Sequence, residues 1–203
     1  TNLTEKDVVF GGIKRLREQI KATLRIMESD LYVVLNGCIG ELVGDDVGSV
    51  VSEFQEQNVP IVYAETGGFK GNNYIGHEIV VKAIIDQYVD KYAQNKSEKN
   101  PNLINVWTEL PYQDTFWRGD LQEIKRILEG AGFQVNILFG IDSKGVEEWK
   151  TIPNAAFNLV ISPWLGLDIA KHLEEKYGQP YLHIPAVPIG AGEVRAFIDK
   201  VVD

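Results

Sequence analysis

Short runs of β-branched residues alternate with amphipathic helical segments along the chain, and this alternation restricts the fold more than any other feature. A short run over Asp7 to Phe10 leads into a segment with a single apolar stripe. The stripe consists of Ile13, Leu16, Ile20, Leu24 and Met27. This spacing predicts a helix with one buried face. Because strands that alternate with helices form parallel sheets covered on both faces, the sequence predicts an α/β fold.

The same rhythm occurs twice. In the first half we predict strands at Leu31 to Leu35 and Pro60 to Ala64, a helix opened by Asp45 or Asp46, and a helix through Tyr88. In the second half we predict strands at Leu103 to Trp107, Gln134 to Phe139, Asn158 to Ser162 and Tyr181 to Ile184, with helices at Arg118 to Ala131, near Val146, and at Leu165 to Tyr177 and Gly192 to Val202.

A polar stretch from Ala93 to Asn102, AQNKSEKNPN, separates the two halves and contains no large apolar residue. Asn-Pro-Asn at its end is typical of a linker. We therefore predict two consecutive doubly wound α/β domains of the Rossmann-like or flavodoxin-like kind, with parallel sheets. The first covers residues 1–97 and the second covers residues 98–203.

Composition excludes several classes of function. A net charge of −9 would repel a phosphate backbone, so a nucleic-acid partner is disfavoured. Apolar stretches such as Ile79 to Ile85, which contains Lys82, are far shorter than the roughly 20 residues that cross a bilayer. A single cysteine permits no internal disulfide and fits a reducing compartment. We expect a cytoplasmic protein without a membrane segment.

In open α/β sheets, ligands bind in the loops at the carboxyl ends of the strands. Candidate loops are those at Cys38, Gly67 to Gly71, Ser162 to Trp164, and Gly190 to Gly192. Gly190 to Gly192 precedes a helix and could bind an anion, but GAGEVR does not match the dinucleotide-binding pattern. The three histidines, His77, His172 and His183, lack the partners that a metal or acid–base site requires.

Cys38 follows a strand and Asn-Gly, and a helix opens shortly after it. A lone cysteine is most often a small packed apolar residue. At a helix N-terminus, however, the thiolate form is favoured, and it can act as a nucleophile or a metal ligand. The residues alone leave both interpretations open.

Several segments in order resemble the nitrogenase component 1 family over essentially the whole chain. They are VFGGIKRL (9–16), NGCIGELVGDDV (36–47), PIVYAETGGFKGNNYIGHE (60–78), FWRGDLQEIKRILEGAGFQVN (116–136), NLVISPW (158–164) and KHLEEKYGQPYLHIP (171–185). The resemblance implies that Cys38 is a ligand of an iron–sulfur cluster at the interface of two subunit types. The family's other cluster cysteines lie upstream, so the chain resembles a central fragment that we expect to be metal-free and inactive by itself.

The resemblance favours the beta-type subunit. Ser162 stands where the cofactor-binding type has a cysteine ligand, and Pro163 and Trp164 follow it. The chain has Gly68 where the beta subunit carries a serine cluster ligand, so that ligand is absent. Implied partners are an alpha-type subunit and an ATP-dependent iron-protein reductase, and the implied substrate is dinitrogen or a related molecule. A cofactor-assembly scaffold, a nitrogenase-like reductase subunit and a stand-alone anion- or nucleotide-binding module remain alternatives.

Overall fold

The computed structural model describes residues 3–93 and 99–203. The chain packs as two units, Thr1–Tyr88 and Val89–Asp203. The boundary predicted at residues 97/98 and half of the predicted linker fall on residues 94–98, outside the described residues. The last part of that predicted linker, Asn100 to Asn102, belongs to a strand.

The first unit contains five helices and two parallel strands among its described residues. In chain order these are α1 Glu5–Phe10, α2 Ile13–Ile26, β1 Tyr32–Asn36, α3 Cys38–Val43, α4 Val47–Gln55, β2 Ile61–Glu65 and α5 Asn73–Ile84. Tyr32 lies opposite Ile61 in the parallel register. The run over Asp7 to Phe10 is helical and not extended, because Asp7 accepts a hydrogen bond from the Thr4 N–H at 2.7 Å and so caps α1.

The core of this unit lies between α2, α4 and the sheet. Its buried members are Ile20, Val47, Val50, Val51, Phe54 and Ile61. Ile13, Leu16 and Leu24 pack against them, as the apolar stripe predicts. Met27 does not belong to the stripe: it follows the end of α2 in an extended conformation and is 60% exposed.

The two strands are covered unequally. Ile61, Val62 and Ala64 of β2 are buried, whereas Val33 and Leu35 of β1 are exposed. The predicted burial of both sheet faces therefore holds for β2 and not for β1. Among the described residues β1 pairs only with β2.

The outer edge of β2 is closed by a side chain. A π-helical turn, Ile85–Val89, follows α5 and carries Gln87. The Gln87 amide accepts a hydrogen bond from Tyr63 N at 3.0 Å and donates one to Tyr63 O at 2.8 Å. It thereby pairs both backbone polar groups of Tyr63, as a further strand would.

The second unit is a four-stranded parallel sheet with the order β4-β3-β5-β6. Its elements are α6 Asp90–Ala93, β3 Asn100–Trp107, α7 Trp117–Gly130, β4 Gln134–Asn136, α8 Val146–Trp149, β5 Ala155–Val160, α9 Leu167–Tyr177, β6 Tyr181–His183 and α10 Ala191–Val202. Because the chain moves outward in opposite directions from β3 and β5, the fold is doubly wound with its switch point between these two strands. The strand predicted to reach Phe139 ends at Asn136, since Gly140 N bonds Ile137 O in a turn.

Three asparagines form a buried ladder across this sheet. Asn105 of β3 lies opposite Asn136 of β4 and Asn158 of β5. Asn105 donates to Asn158 Oδ1 at 3.1 Å and accepts from Asn136 Nδ2 at 3.0 Å. A shift of register would leave these buried amides unpaired, so the ladder specifies how the three strands align.

No helix of the described residues has the length and apolar character to cross a bilayer.

Candidate functional site

Cys38 is the first residue of α3, directly beyond the carboxyl end of β1, and its side chain is exposed. The Gly68 N–H, thirty positions later, donates a 3.0 Å hydrogen bond to its Sγ. Gly68 follows the carboxyl end of β2. The two loops that leave this parallel sheet therefore meet at the sulfur atom.

The Gly44-Asp45-Asp46 segment positions the cysteine helix. Gly44 ends α3 in the left-handed conformation, with φ of 76°, and Asp46 caps α4 by accepting the Ser49 N–H at 2.9 Å. Both carboxylate oxygens of Asp45 lie 2.9 Å from the Gly12 nitrogen. A Cβ on Gly12 would lie 2.8 Å from Asp45 Oδ2, so a larger residue there would displace the Asp45 carboxylate. These contacts explain why the Gly-Gly and Gly-Asp-Asp motifs occur together.

Glu41 of α3 holds the second loop in place. It accepts the Gly67 N–H at 2.7 Å and pairs with Lys70 Nζ at 2.8 Å. Its side chain is only 8% exposed. Burial by itself would raise the pKa of the Glu41 carboxyl, but the hydrogen bonds from Lys70 and Gly67 outweigh burial, so the pKa lies below its usual value. The anchored loop presents the Gly68 N–H to Cys38.

Several apolar side chains near Cys38 in the fold are more than half exposed. Leu35 and Ile39 line the same cleft as Cys38, Leu42 follows Cys38 by four positions on α3, and Phe69 comes directly after Gly68. Beside Cys38 an open cleft of about 450 Å³ is lined by Asn36, Gly40 and Asp45, among others. A thiol at the mouth of a cleft with an apolar rim suits a group that a second protein surface covers.

The donor set defines what the site can bind. A thiolate is a soft ligand that suits iron–sulfur clusters, and a backbone N–H directed at the sulfur is a known means of tuning them. Among residues 3–93 and 99–203, no three His, Cys, Asp or Glu side chains come together in a metal-binding group. The residues present therefore fit one ligand of a cluster, and any cluster bound to Cys38 would require further thiolates from outside the described residues.

Ser162, the other residue singled out by the motifs, lies just beyond β5 at the switch point of the second unit. Its Oγ accepts the N–H groups of Trp164 and Leu165, both at 3.2 Å, and the residue is 8% exposed. Its backbone oxygen bonds His183 Nε2 at 2.8 Å. Ser162 thus organises the turn into α9, and His183 is a hydrogen-bonded structural histidine.

Glu109 lies at the same switch point and was not singled out from the sequence. Burial, followed by a hydrogen bond to Asp120 and the negative charges of Asp120 and Asp114, raises the pKa of Glu109 to about 7. Its Oε2 is buried and has no hydrogen-bond partner among the described residues. Its place two residues beyond β3 was the signal that could have identified it.

The remaining candidates belong to elements other than the loops at Cys38 and Ser162. Burial lowers the pKa of His77, on α5, to about 4, so its ring is neutral at physiological pH. The charged segment around His172, KHLEEK, favours a solvated side chain. On α9, however, His172 is half-buried. Gly190 to Gly192 are exposed. In the aromatic stretch before α7, Tyr112 and Phe116 are exposed while Trp117 is buried.

Comparisons with known proteins agree with the motifs. A nitrogenase iron-molybdenum cofactor biosynthesis protein NifE of Methanococcus maripaludis is 29% identical over 89% of this chain and 36% of its own length. A nitrogenase molybdenum-iron protein beta chain of Bradyrhizobium diazoefficiens is 30% identical over 68% of this chain and 28% of its own length. The chain thus spans about a third of the length of these relatives.

A solved structure described as nitrogenase Cp1 at pH 6.5 superposes with a TM-score of 0.72 and 24% sequence identity. The match covers 99% of this chain and 40% of that one. At this identity the superposition establishes the fold alone, and it agrees with the predicted α/β architecture. The model of the family described as nitrogenase component 1 type oxidoreductase matches residues 1–203. The chain therefore belongs to the nitrogenase component 1 type oxidoreductase family.

Proposed function

We propose that this chain is part of a beta-type component 1 subunit in which Cys38 is one thiolate ligand of an iron–sulfur cluster. The observation that carries the proposal is the exposed Cys38 Sγ, which accepts the Gly68 N–H at the meeting point of two anchored loops. The apolar rim around the thiol supports a position at the contact with an alpha-type subunit. That subunit and the upstream part of the longer protein would supply the other thiolates.

In the parent complex, the bound cluster would supply one-electron transfer between an ATP-dependent iron-protein reductase and a cofactor in the alpha-type subunit. That cofactor would reduce dinitrogen or a related substrate, in the cytoplasm. The residues of this chain hold and orient the cluster. Glu41 fixes the Gly68 loop through Gly67 N and Lys70 Nζ, and Asp45 fixes the start of α2 through Gly12 N.

Ser162 supports the beta type over the type that binds the catalytic cofactor. Its buried hydroxyl oxygen already accepts two backbone N–H groups in the turn toward α9. A side chain with this structural role is a poor replacement for a cysteine that ligates a cofactor. In this proposal the second unit therefore has a structural role and holds no cofactor ligand.

A second candidate function is that of a cofactor-assembly scaffold. The relative from Methanococcus maripaludis, which matches 89% of this chain, is named a cofactor biosynthesis protein. A scaffold would use Cys38 in the same way to hold a metal cluster, but would pass the cluster to another protein. The two functions therefore differ in what happens to the metal after binding.

The test uses the longer protein that contains this sequence, co-produced anaerobically with an alpha-type partner. We expect iron in the complex, a paramagnetic signal after oxidation or reduction, and loss of both in Cys38→Ser. Full iron and an unchanged signal in Cys38→Ser would refute the ligand role. Transfer of the metal to an apo-enzyme, without electron flow from the reductase, would favour the scaffold. A stoichiometric cluster on the isolated 203 residues would contradict the expectation that this part is metal-free.

A further inference from the structure

Asn36 is the last residue of β1 and lies two positions before Cys38. It is only 7% exposed. Its backbone oxygen accepts hydrogen bonds from Thr66 N at 2.8 Å and Thr66 Oγ1 at 3.2 Å. Its side chain lies under the first turn of α3, where a Cβ on Gly40 would lie 2.1 Å from Asn36 Oδ1. The backbone of Asn36 is therefore fixed, and its side chain packs closely beneath α3.

The amide nitrogen of Asn36 is buried and has no hydrogen-bond partner within residues 3–93 and 99–203. Buried polar groups in native proteins are almost always paired, because an unpaired one loses its hydration without compensation. An apolar side chain of the same size would avoid that loss. Asn36 is also one of the residues that line the cleft beside Cys38. The cleft adjoins Asn36, so a group bound there is a candidate acceptor once the amide turns toward it.

The charges of the cleft restrict what that acceptor can be. Asp45 lines the same cleft, and its carboxylate gives that wall a negative charge. Both carboxylate oxygens lie near Gly12 N, which fixes the position of the charge. A free oxyanion is disfavoured beside a carboxylate unless it is also held by a strong bond. A sulfur atom of a group already bonded to Cys38 meets this condition, because the thiolate bond keeps it in place.

We propose that the Asn36 amide donates a hydrogen bond to a sulfur atom of the group that Cys38 holds, and is thereby a positioning residue that tunes the group's reduction potential. This inference rests on the proposed function of Cys38. Asn36 would be the second donor at the site, after the Gly68 N–H. One-electron reduction makes the cluster sulfurs more negative, so a hydrogen-bond donor stabilises the reduced form and raises the potential.

The test compares Asn36→Leu with the unmodified protein in the complex with the alpha-type partner. An anaerobic titration with dithionite and ferricyanide, followed by the paramagnetic signal, gives the midpoint potential. We expect Asn36→Leu to retain its iron and to change the ratio of oxidised to reduced cluster about tenfold at a given potential, which is a shift of about 59 mV to more negative values for one electron. Asn36→Asp preserves the shape, replaces the donor with a carboxylate oxygen, and should shift the potential further.

A second measurement separates tuning from a purely structural role. Because Asn36→Leu removes an unpaired buried amide, the metal-free protein should unfold at an equal or higher urea concentration. A structural asparagine would lose stability instead. Asn73→Leu, at an exposed position of α5 in the same unit, is the control and should change neither quantity.

The outcomes are distinguishable. Iron-loaded unmodified protein with an unchanged potential in both Asn36 variants would overturn this inference and leave the role of Cys38 intact. A lower urea midpoint for metal-free Asn36→Leu would also overturn it. Absence of iron from the unmodified complex would refute the function proposed for Cys38 and the inference together.

Discussion

Asp45 and Gly12 are joined across thirty-three positions by two 2.9 Å contacts, one from each carboxylate oxygen of Asp45 to the Gly12 nitrogen. Gly12 is buried and starts α2, while Asp45 follows the helix that begins with Cys38. The pair thereby fixes the cysteine helix relative to the core of the first unit. It also gives the two motifs of the sequence a common structural cause.

Replacing Asp45 with alanine should lower the free energy of unfolding by about 1.5–3 kcal/mol, the range for a hydrogen bond to a charged group whose buried partner is left unpaired. Asp46→Ala is the matched control and should lower the free energy of unfolding less than Asp45→Ala, since it removes only the cap of α4. Urea denaturation of both variants at neutral pH measures the difference. Equal losses would show that the Gly12 contact contributes nothing beyond a cap.

Gly68→Ser tests the geometry beside the thiol. A Cβ at Gly68 would lie 3.4 Å from Cys38 Sγ, which is ordinary contact, so we expect a stability change within about 0.5 kcal/mol. The new hydroxyl should alter the paramagnetic signal of the oxidised cluster in the complex, because it stands where the family's beta subunit carries a serine ligand.

Gly67→Ser is the control for this substitution. Its Cβ would lie 2.7 Å from the Phe69 ring and 3.1 Å from the Glu41 carboxyl carbon. The crowding should cost about 1–3 kcal/mol. If Gly68→Ser were the more destabilising of the two, the loop geometry described around Cys38 would be wrong.

His77 should make the protein sensitive to mild acid. Burial lowers its pKa to about 4 in the folded state, whereas the unfolded chain has the ordinary value of about 6.5. The unfolded state binds the proton more readily, so this contribution to stability is fully present above pH 6.5 and is lost as the pH falls toward 4. Between pH 7.5 and pH 5 the loss should be about 2 kcal/mol.

His77→Gln should remove this part of the pH dependence. Urea denaturation at pH 7.5, 6 and 5 for the unmodified chain and the variant isolates the contribution as the difference of two slopes. Parallel pH profiles would mean that the His77 ring is solvated enough to titrate normally.

Glu109 should act in the opposite direction. Burial, the hydrogen bond to Asp120 and the nearby negative charges raise the pKa of Glu109 to about 7. The folded state therefore binds the proton more tightly than the unfolded state, and stability is lost as the pH rises from about 4.5 through 7. Glutamine cannot ionise at position 109. The stability of Glu109→Gln relative to the unmodified chain should therefore be greater at pH 8 than at pH 5.

Glu123→Gln is the control, because Glu123 is an exposed glutamate of α7 paired with Arg126, whose hydrogen bond keeps the pKa of the Glu123 carboxyl low. Thermal unfolding at pH 5 and pH 8 compares the two variants. A Glu109→Gln variant that gains nothing at pH 8 would show that the carboxyl ionises without penalty.

The period of the apolar residues was sufficient to predict the helices and the parallel strands, and the solved structures of the family confirm the fold class. It could not predict that Asp7 to Phe10 is helical, because the capping contact of Thr4 with Asp7 outweighs the β-branched character of the run. Met27 has the correct spacing for the stripe, but α2 ends before it. Where a helix ends depends on tertiary contacts that a periodic pattern does not contain.

For the site, the motif identified Cys38, and its place at a strand end is as expected. The sequence also identified the loop that contains Gly68, but not the hydrogen bond that its backbone N–H donates to Cys38 Sγ. Asn36, whose amide nitrogen is buried and unpaired among the described residues, was not singled out. Neither residue type at those positions indicates its role. The role of Gly68 becomes visible only in the structure, where its loop meets the Cys38 loop thirty positions earlier in the chain.

The unequal edges of the small sheet have a practical consequence. On β1, Tyr32 N bonds Pro60 O and Thr66 N bonds Asn36 O, so the alternate residues, Val33 and Leu35, direct their main-chain groups away from β2. Gln87 shields the opposite border. Any self-assembly of the purified polypeptide into fibrils or swapped dimers should therefore start at Val33 and Leu35. Val33→Lys should slow the aggregation of the purified polypeptide in concentrated solution.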